Sequence, residues 1–202
     1  MSKSTNKKVS RREQRRARKR KQKLKSQIGW GAAALLTVAF VGYLLWTGIR
    51  PPLGEIVSAE AAGQHIGLNT PPPPYDTDPP TSGSHYANPL PAGFYDETSP
   101  EVTDLPNPEG FIVHALEHGY VVFWYNCTLV SEQECSNIKS QLRAALDEAG
   151  NLKVIAFPWA TADAPVVATS WGRMLKMETF DPDLVAKFIQ RNRNQAPESN
   201  AP

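Results

Sequence analysis

Residues 28–48 contain no charged residue, and residues 1–27 contain a single acidic one, Glu13. An uncharged run of 21 residues matches the ~20 residues that an α-helix needs to cross a ~30 Å hydrocarbon core. Trp30, Tyr43 and Trp46 lie near the ends of the run, where aromatic side chains favour the membrane interface. The sequence therefore predicts one transmembrane helix over residues 28–48, through which the chain contacts the lipid bilayer.

Two other interpretations of this run are a buried helix of a soluble domain and a cleaved signal peptide. Uncharged runs of this length are rare in soluble domains. The basic region before the run is too long for a signal peptide, and the run is longer than a usual signal-peptide core. An uncleaved signal anchor is the better prediction.

Acidic residues are scarce before the helix and abundant after it. Residues 1–27 have 13 Lys and Arg against one acid, whereas residues 50–202 have 9 against 19. Because basic flanks stay on the cytoplasmic side, residues 1–27 are predicted to be cytoplasmic and residues 50–202 extracytoplasmic. The basic tail has almost no apolar residues, so we expect it to be disordered and to contact anionic lipid headgroups. Nucleic-acid binding was also considered, but membrane topology already explains the charges.

The part after the helix divides by composition. Pro51 and Pro52 end the membrane helix, and residues 49–64 are predicted to be a linker. Six prolines fall within residues 71–80, a composition typical of extended polyproline II segments. This segment is either a stiff spacer or, as we prefer, an ordered wrap over a domain spanning residues 65–195. Residues 196–202 are predicted to be a disordered tail.

The periodicity of the domain predicts α+β structure. Residues 111–116 and 120–125 have the β-branched and aromatic composition of strands, with a turn at residues 117–119. Helices are expected over residues 131–149 and 181–193, and further strands over residues 152–157 and 166–171. This order indicates a small, mostly antiparallel sheet with two helices on one face.

Histidine is absent everywhere except between residues 65 and 118. The four residues are His65, His85, His114 and His118. His114 and His118 are four apart, which places them on one face of either a helix or a strand. Imidazoles with a carboxylate such as Glu117 could hold zinc or copper.

The spacing leaves the role of these histidines open. It is not that of HExxH metalloproteases, and on a strand Glu117 would point away from both neighbouring histidines, which makes it the weaker ligand candidate. The histidines could instead hydrogen-bond the proline-rich wrap, or act as acid–base catalysts. Met174 and Met177 could be copper ligands, although methionine more often fills a core.

Cysteine is limited to Cys127 and Cys135. Outside the membrane a disulfide between them is permitted, and it would join a strand end to the first turn of the next helix. Free thiols or thiolate ligands are the alternatives. Seven intervening residues exclude a CxxC redox motif. A glycine-rich phosphate loop and a GxSxG nucleophile motif are also absent from the sequence, so whether the protein is an enzyme stays open, with the balance toward a non-enzyme.

Several segments resemble a bacterial family of membrane-anchored proteins, DUF3105. They are PPTSGSH at residues 79–85, GFY at 93–95, VHALEHGYVV at 113–122 and TSWGR at 169–173. The resemblance covers about residues 60–197. It implies a bacterial cell membrane protein with a basic start and one anchor helix. It implies no established activity, so no catalytic residues are carried over.

The matched motifs contain most of the histidines, which favours a constructed site over scattered core residues. The leading hypothesis is an extracytoplasmic domain with a histidine-centred site for copper or zinc. The alternative is a non-catalytic envelope scaffold or protein-interaction domain with structural histidines, whose protein partner the sequence does not identify.

Overall fold

The computed structural model describes residues 11–48 and 50–201. The described residues up to Arg50 form one compact unit, and the described residues from Pro51 onward form a second. The first unit contains one long helix, α1 (Arg11–Gly48). In the described part of the chain it is the one helix long and apolar enough to cross a membrane. Its large apolar side chains, such as Leu35 and Phe40, are exposed, as lipid-facing side chains are.

The start of α1 differs from the expected disordered tail. Residues 11–27 are helical, while residues 1–10 lie outside the described residues. Arg, Lys, Gln, Ala and Leu all have high helix propensity, and neither proline nor glycine interrupts residues 11–27. Disorder was expected because these residues lack a buried core, but that argument leaves out their local preference for a helix.

The second unit is built around a mixed sheet. In chain order its elements are β1 (Glu55–Ile56), β2 (His65–Ile66), β3 (His85–Tyr86), β4 (Gly93–Phe94), α2 (Pro100–Thr103), α3 (Pro108–Glu117), β5 (Val121–Tyr125), a 3-10 turn (Cys127–Leu129), α4 (Glu132–Glu148), β6 (Val154–Pro158), β7 (Val166–Ser170), β8 (Arg173–Met177) and α5 (Pro182–Asn192). The six-stranded sheet has the order β1-β8-β7-β5-β6-β4. The pairings β1–β8, β8–β7 and β7–β5 are antiparallel, whereas β5–β6 and β6–β4 are parallel. Strands β2 and β3 form a separate parallel pair.

Strand β5 lies at the centre of this unit and is buried on both faces. Phe123 packs in a core with Leu142 of α4 and Phe188 of α5. Trp124 points the other way, into a core with Ile112 of α3. The expected α+β class with α4 and α5 on one face is therefore confirmed, and α3 covers the opposite face as an additional layer.

The predicted strand over residues 111–116 is wrong, because these residues lie in α3. Phe111, Ile112 and Val113 have strand-like composition, but Pro108 begins the helix and burial of one helical face against the sheet outweighs local strand preference. The turn expected at residues 117–119 is instead the end of this helix. The error matters for the site, because α3 carries two of the histidines.

The expected linker at residues 49–64 is also incorporated into the fold. Asn192 accepts a 2.9 Å hydrogen bond from the Leu53 amide and donates one of 2.9 Å to the Leu53 carbonyl. β1 then pairs with the sheet edge, and the Val57 amide donates to the Gly172 carbonyl. These residues are held because their backbone groups complete an otherwise open edge strand.

The C-terminal segment is likewise held on the domain rather than disordered. The Lys153 ammonium donates hydrogen bonds of 2.9 and 2.7 Å to the carbonyls of Ser199 and Ala201. The amide of Glu198 donates to the carbonyl of Glu117. Sequence periodicity cannot reveal such contacts, since each depends on a backbone carbonyl far away in the chain.

The predicted disulfide between Cys127 and Cys135 is present, with 5.2 Å between the two Cα atoms. Cys127 follows β5 and Cys135 lies in the first turns of α4, as expected. Ser131 caps α4 by accepting a hydrogen bond from the Glu134 amide, which is half of a capping box.

Candidate metal centre

The parallel pair β2–β3 and the end of α3 bring the four histidines together. His65 and His85 are register partners across the β2–β3 pair. His114 and His118 lie one helical turn apart on α3. The ring centroids of His65, His85 and His114 are 4.9–5.0 Å from one another, and those of His114 and His118 are 4.4 Å apart. All four predicted site histidines therefore form one cluster.

Three of these histidines have the arrangement of a ligand set. The candidate ligand atoms of His65, His85 and His114 all lie within 4.8 Å of one another. Two ligands about 2.1 Å from a zinc ion in tetrahedral geometry are about 3.4 Å apart. Side-chain adjustments of about an ångström would bring the three nitrogens to that spacing.

The end of α3 is fixed by Gly119. The Gly119 amide donates to the Leu116 carbonyl and the Tyr120 amide to the Ala115 carbonyl, the two hydrogen bonds of a Schellman cap. Gly119 has φ +84°, and a Cβ added there would lie 2.7 Å from the Cα of Asn194. Glycine is required here both by the left-handed conformation and by close chain approach. The cap sets where the last helical turn, with its site residues, is placed.

Backbone carbonyls fix the tautomers of the two buried ligand candidates. His85 Nδ1 lies 2.8 Å from the Gly83 carbonyl oxygen, and His114 Nδ1 lies 2.5 Å from the Tyr86 carbonyl oxygen. A carbonyl can only accept, so in each ring Nδ1 must be the donor. When the rings are neutral, each Nε2 then carries a lone pair directed into the cluster. Metal-binding histidines are oriented in this way by the hydrogen bond at their other nitrogen.

Glu117 lies at the buried bottom of the cluster. Its Oε1 accepts a 2.5 Å hydrogen bond from the Gly63 amide, and its Oε2 lies 2.9 Å from His85 Nε2. The contact between Glu117 and His85 has the distance of an ion pair but not the geometry of a hydrogen bond. Neither atom has a hydrogen-bond partner among the described residues. A carboxylate facing an imidazole lone pair needs a proton or a cation between them.

His118 occupies the other side of His114. The two Nε2 atoms are 2.9 Å apart, so His118 either donates a hydrogen bond to His114 or shares a cation with it. His118 Nε2 is also 3.7 Å from Glu198 Oε2 on the C-terminal segment. The cluster thus extends from the buried Glu117 to the half-exposed carboxylate of Glu198.

The side chains on one side of the cluster are more buried than those on the other. The side chains of His85 and Glu117 are fully buried, whereas His65 is exposed. Burial, followed by the neighbouring histidines, lowers the pKa of His114 below its ordinary value, although the hydrogen bond to Tyr86 acts against this. A lowered pKa keeps His114 neutral near pH 7, the state in which it can bind a metal.

The structure makes Glu117 a stronger ligand candidate than the sequence indicated, and it adds contacting residues that the sequence did not predict. On a helix, Glu117 and His114 are three residues apart and share a face, so the objection based on strand alternation does not apply. The carbonyls of Gly83 and Tyr86, the Gly63 amide and Glu198 also contact the cluster. The helix signals Pro108 and Gly119 could have corrected the first point, but the other contacts are long-range and have no local signal.

Methionine is not part of the cluster. Met174 packs in the core beneath α3 and Met177 in the core beneath α4 and α5. The soft copper ligation considered for these residues is therefore wrong. The ligand candidates are nitrogen and oxygen donors.

The fold and the cluster together define an α+β domain with a partly buried histidine site, in a chain that also has a helix capable of crossing a membrane. The family described as "Protein of unknown function (DUF3105)" matches residues 70–202. Because the match covers more than half of the chain, the protein belongs to the DUF3105 family. His65 precedes the matched range, while His85, His114, Glu117 and His118 lie within it. No curated protein and no solved structure matches the chain.

Proposed function

We propose that the domain binds one divalent transition-metal ion, zinc or copper, through His65, His85 and His114, with Glu117 as a further oxygen ligand. The observation that carries this proposal is the pair of Nδ1–carbonyl hydrogen bonds made by His85 and His114. They leave the Nε2 lone pair of each ring available to a metal ion, and candidate ligand atoms of these two rings and of His65 lie within 4.8 Å of one another.

A bound cation would also resolve the contact at the bottom of the cluster. His85 Nε2 and Glu117 Oε2 are buried, close together and without hydrogen-bond partners among the described residues. A metal ion accepts electron density from both atoms and compensates the buried carboxylate. His118 completes the set, either as a ligand or through its contact with His114.

The donor set favours a divalent ion over copper(I). Imidazole and carboxylate suit zinc(II) and copper(II), whereas copper(I) prefers thiolate and thioether ligands. Both cysteines are in the disulfide, and both methionines beyond the first residue are in the cores. The exposed position of His65 gives an ion a route to solvent.

We place this site outside the cell membrane, with residues 1–27 in the cytoplasm. The charge bias around α1 supports this orientation, and a disulfide is compatible with an oxidising compartment. The basic residues closest to the bilayer would then contact anionic headgroups. Protease added to intact cells should remove residues 50–202 and leave α1 protected. Degradation only after permeabilisation would contradict this orientation.

Metal binding is tested on the full-length chain in detergent. After treatment with a chelator and separate loading with Zn²⁺ and Cu²⁺, metal analysis should give one ion per chain. His85→Ala and His114→Ala should each abolish stoichiometric binding. Glu97→Gln is the matched control, because Glu97 is an exposed residue paired with Lys139 of α4, on the other side of the sheet. A parent chain that retains no stoichiometric metal would contradict the proposal.

A scaffold role with structural histidines is the second candidate. The hydrogen bond between His114 and the Tyr86 carbonyl also fastens residues 83–86 to α3, and the one between His85 and the Gly83 carbonyl orders that segment internally. In that case a protonated His85 would pair with Glu117, and histidine substitutions would lower only stability. The two candidates are separated by the melting temperature, which added Zn²⁺ or Cu²⁺ should raise if the site binds metal and leave unchanged if the histidines are structural.

A further inference from the structure

The disulfide lies where the sheet changes from parallel to antiparallel pairing. β5 pairs in parallel with β6 on one side and antiparallel with β7 on the other. Cys127 lies two residues after the carboxyl end of β5, and α4, which carries Cys135, leads on to β6. In open α/β sheets, ligands bind outside the carboxyl ends of the parallel strands.

The two sulfur atoms differ in surroundings. Cys127 is half-buried and Cys135 is buried. Both line a cavity of about 330 Å³, together with Val130 and Lys139. Leu129, two residues after Cys127, is exposed, so it offers an apolar contact to a partner that approaches Cys127, the less buried of the two cysteines.

The loop between the cysteines is held without the disulfide. Asn126 accepts hydrogen bonds from the amide and the hydroxyl of Thr128, and its own amide group donates to the carbonyls of Ala160 and Ala162. Ser131 caps α4 separately. Opening the bridge would therefore leave both of its attachment points in place. A bridge that closes so short a loop also removes less entropy from the unfolded chain than one that closes a long loop.

We propose that Cys127–Cys135 is a redox-active disulfide that exchanges with a dithiol on a protein partner. A thiolate of the partner attacks Cys127 Sγ, the Cys127–Cys135 bond breaks, and its electron pair leaves on Cys135 Sγ. The positive end of α4 favours this leaving thiolate, and the Lys139 ammonium on the same cavity adds to it, although Lys139 is paired with Glu97 and the acidic residues Glu132 and Glu134 lie in the first turn of α4.

The second half of the exchange resolves the mixed disulfide between Cys127 and the partner. The other thiol of the partner, deprotonated, attacks the partner sulfur of the mixed disulfide and releases Cys127 as a thiolate. Both cysteine thiolates take up the protons that the partner lost. The partner dithiol is oxidised to a disulfide by two electrons, and the Cys127–Cys135 disulfide is reduced to two thiols.

The deciding measurement compares reduction of the bridge in folded and unfolded protein. The full-length chain in detergent is treated with dithiothreitol, quenched with an alkylating reagent and analysed by mass spectrometry. The folded bridge should react at least about tenfold faster than the same bridge in concentrated guanidinium chloride, because the fold activates the leaving thiolate. The domain should stay folded on reduction, with a melting temperature lowered by no more than about 10 °C. A folded bridge that reacts more slowly than the unfolded one, or a domain that unfolds when reduced, would overturn the proposal.

A matched pair of variants tests which sulfur is attacked. Oxidised glutathione is added to Cys135→Ser and to Cys127→Ser. The free thiol of Cys127 in the first variant should form a mixed disulfide rapidly, and the free thiol of Cys135 in the second slowly. Equal rates, or faster reaction at Cys135, would overturn the assignment of Cys127 as the exchanging sulfur.

Discussion

Glu117 Oε2 lies 2.9 Å from His85 Nε2, with both side chains fully buried and neither atom hydrogen-bonded among the described residues. The other carboxylate oxygen of Glu117 accepts a hydrogen bond from Gly63. One carboxylate therefore joins the segment before β2 to the histidine cluster and leaves one oxygen directed at an imidazole. This arrangement suits a ligand better than a core residue, because an uncompensated buried carboxylate is costly.

Glu117→Gln separates the charge of this residue from its shape. The amide oxygen can still accept from Gly63, and the amide nitrogen can donate to the lone pair on His85 Nε2. We expect the metal-free domain to be as stable as the parent or more stable, while metal affinity falls by about 10–100-fold. Thermal unfolding and competition with a metal indicator measure the two effects. An unchanged affinity would remove Glu117 from the ligand set.

The stability of the metal-free domain should depend on pH through His114. Burial lowers its pKa in the folded state below the unfolded value of about 6.5. The unfolded chain then binds more protons than the folded one as the pH falls below about 6.5, so stability is lost in that direction. Denaturant unfolding is measured with a chelator present from about pH 7.5 to about pH 5, a range that brackets the ordinary histidine pKa. The free energy of unfolding should fall as the pH is lowered.

His114→Gln is the control for this pH dependence. Glutamine retains a hydrogen-bonding side chain of comparable length but does not titrate. The variant should be less stable than the parent at pH 7.5 (about one unit above the ordinary histidine pKa) and show a smaller loss on acidification. A parallel pH profile in parent and variant would assign the dependence to other groups.

Two glycines at helix ends offer a matched comparison of chain packing. Gly119 ends α3 and Gly150 ends α4, with φ of +84° and +70°. A Cβ at Gly119 would lie 2.7 Å from Asn194 Cα, whereas a Cβ at Gly150 would have nothing within 4 Å. Both alanine variants carry the backbone strain of about 1 kcal/mol, and Gly119→Ala carries the steric conflict in addition.

We expect Gly119→Ala to lose more free energy of unfolding than Gly150→Ala and also to weaken metal binding, because Asn194 begins the segment that packs on the end of α3. Denaturant unfolding and metal competition on both variants measure this. Equal losses would mean that the C-terminal segment yields to the added methyl group.

The sequence predicted the grouping of the histidines more accurately than it predicted the helix α3. His65, His85, His114 and His118 could be grouped because histidine occurs nowhere else in the chain. Composition carries that signal without any knowledge of the fold. The structure places all four rings in one cluster, whereas metal binding stays a prediction.

The helix α3 was missed because local preference and tertiary context disagree. Phe111, Ile112 and Val113 favour a strand in isolation, yet the helix start at Pro108 and the helix stop at Gly119 were both visible in the sequence. Giving weight to these end signals would have predicted a helix and put Glu117 beside His114. The carbonyls that orient His85 and His114 could not have been found, because any residue can supply a backbone carbonyl.

Lys153 makes the contacts that hold the C-terminal segment. Its ammonium donates to the carbonyls of His118, Ser199 and Ala201, at 2.9, 2.9 and 2.7 Å. Lys153→Met removes all three hydrogen bonds and retains most of the apolar stem. We expect carboxypeptidase to remove the last residues of the variant much faster than those of the parent, because local opening becomes less costly.

Lys176→Met is the matched control for Lys153→Met, since Lys176 forms an exposed ion pair with Asp163, a kind of contact that contributes about 0–1 kcal/mol. Its C-terminus should be digested at the parental rate. The metal affinity of Lys153→Met separates two roles of the C-terminal segment. If Glu198 contributes to the site through His118, the variant loses both metal affinity and protection from carboxypeptidase. If the segment is purely structural, the variant loses that protection alone. Resistance of the Lys153→Met chain to digestion would show that the amide of Glu198, which donates to the Glu117 carbonyl, suffices to hold the segment.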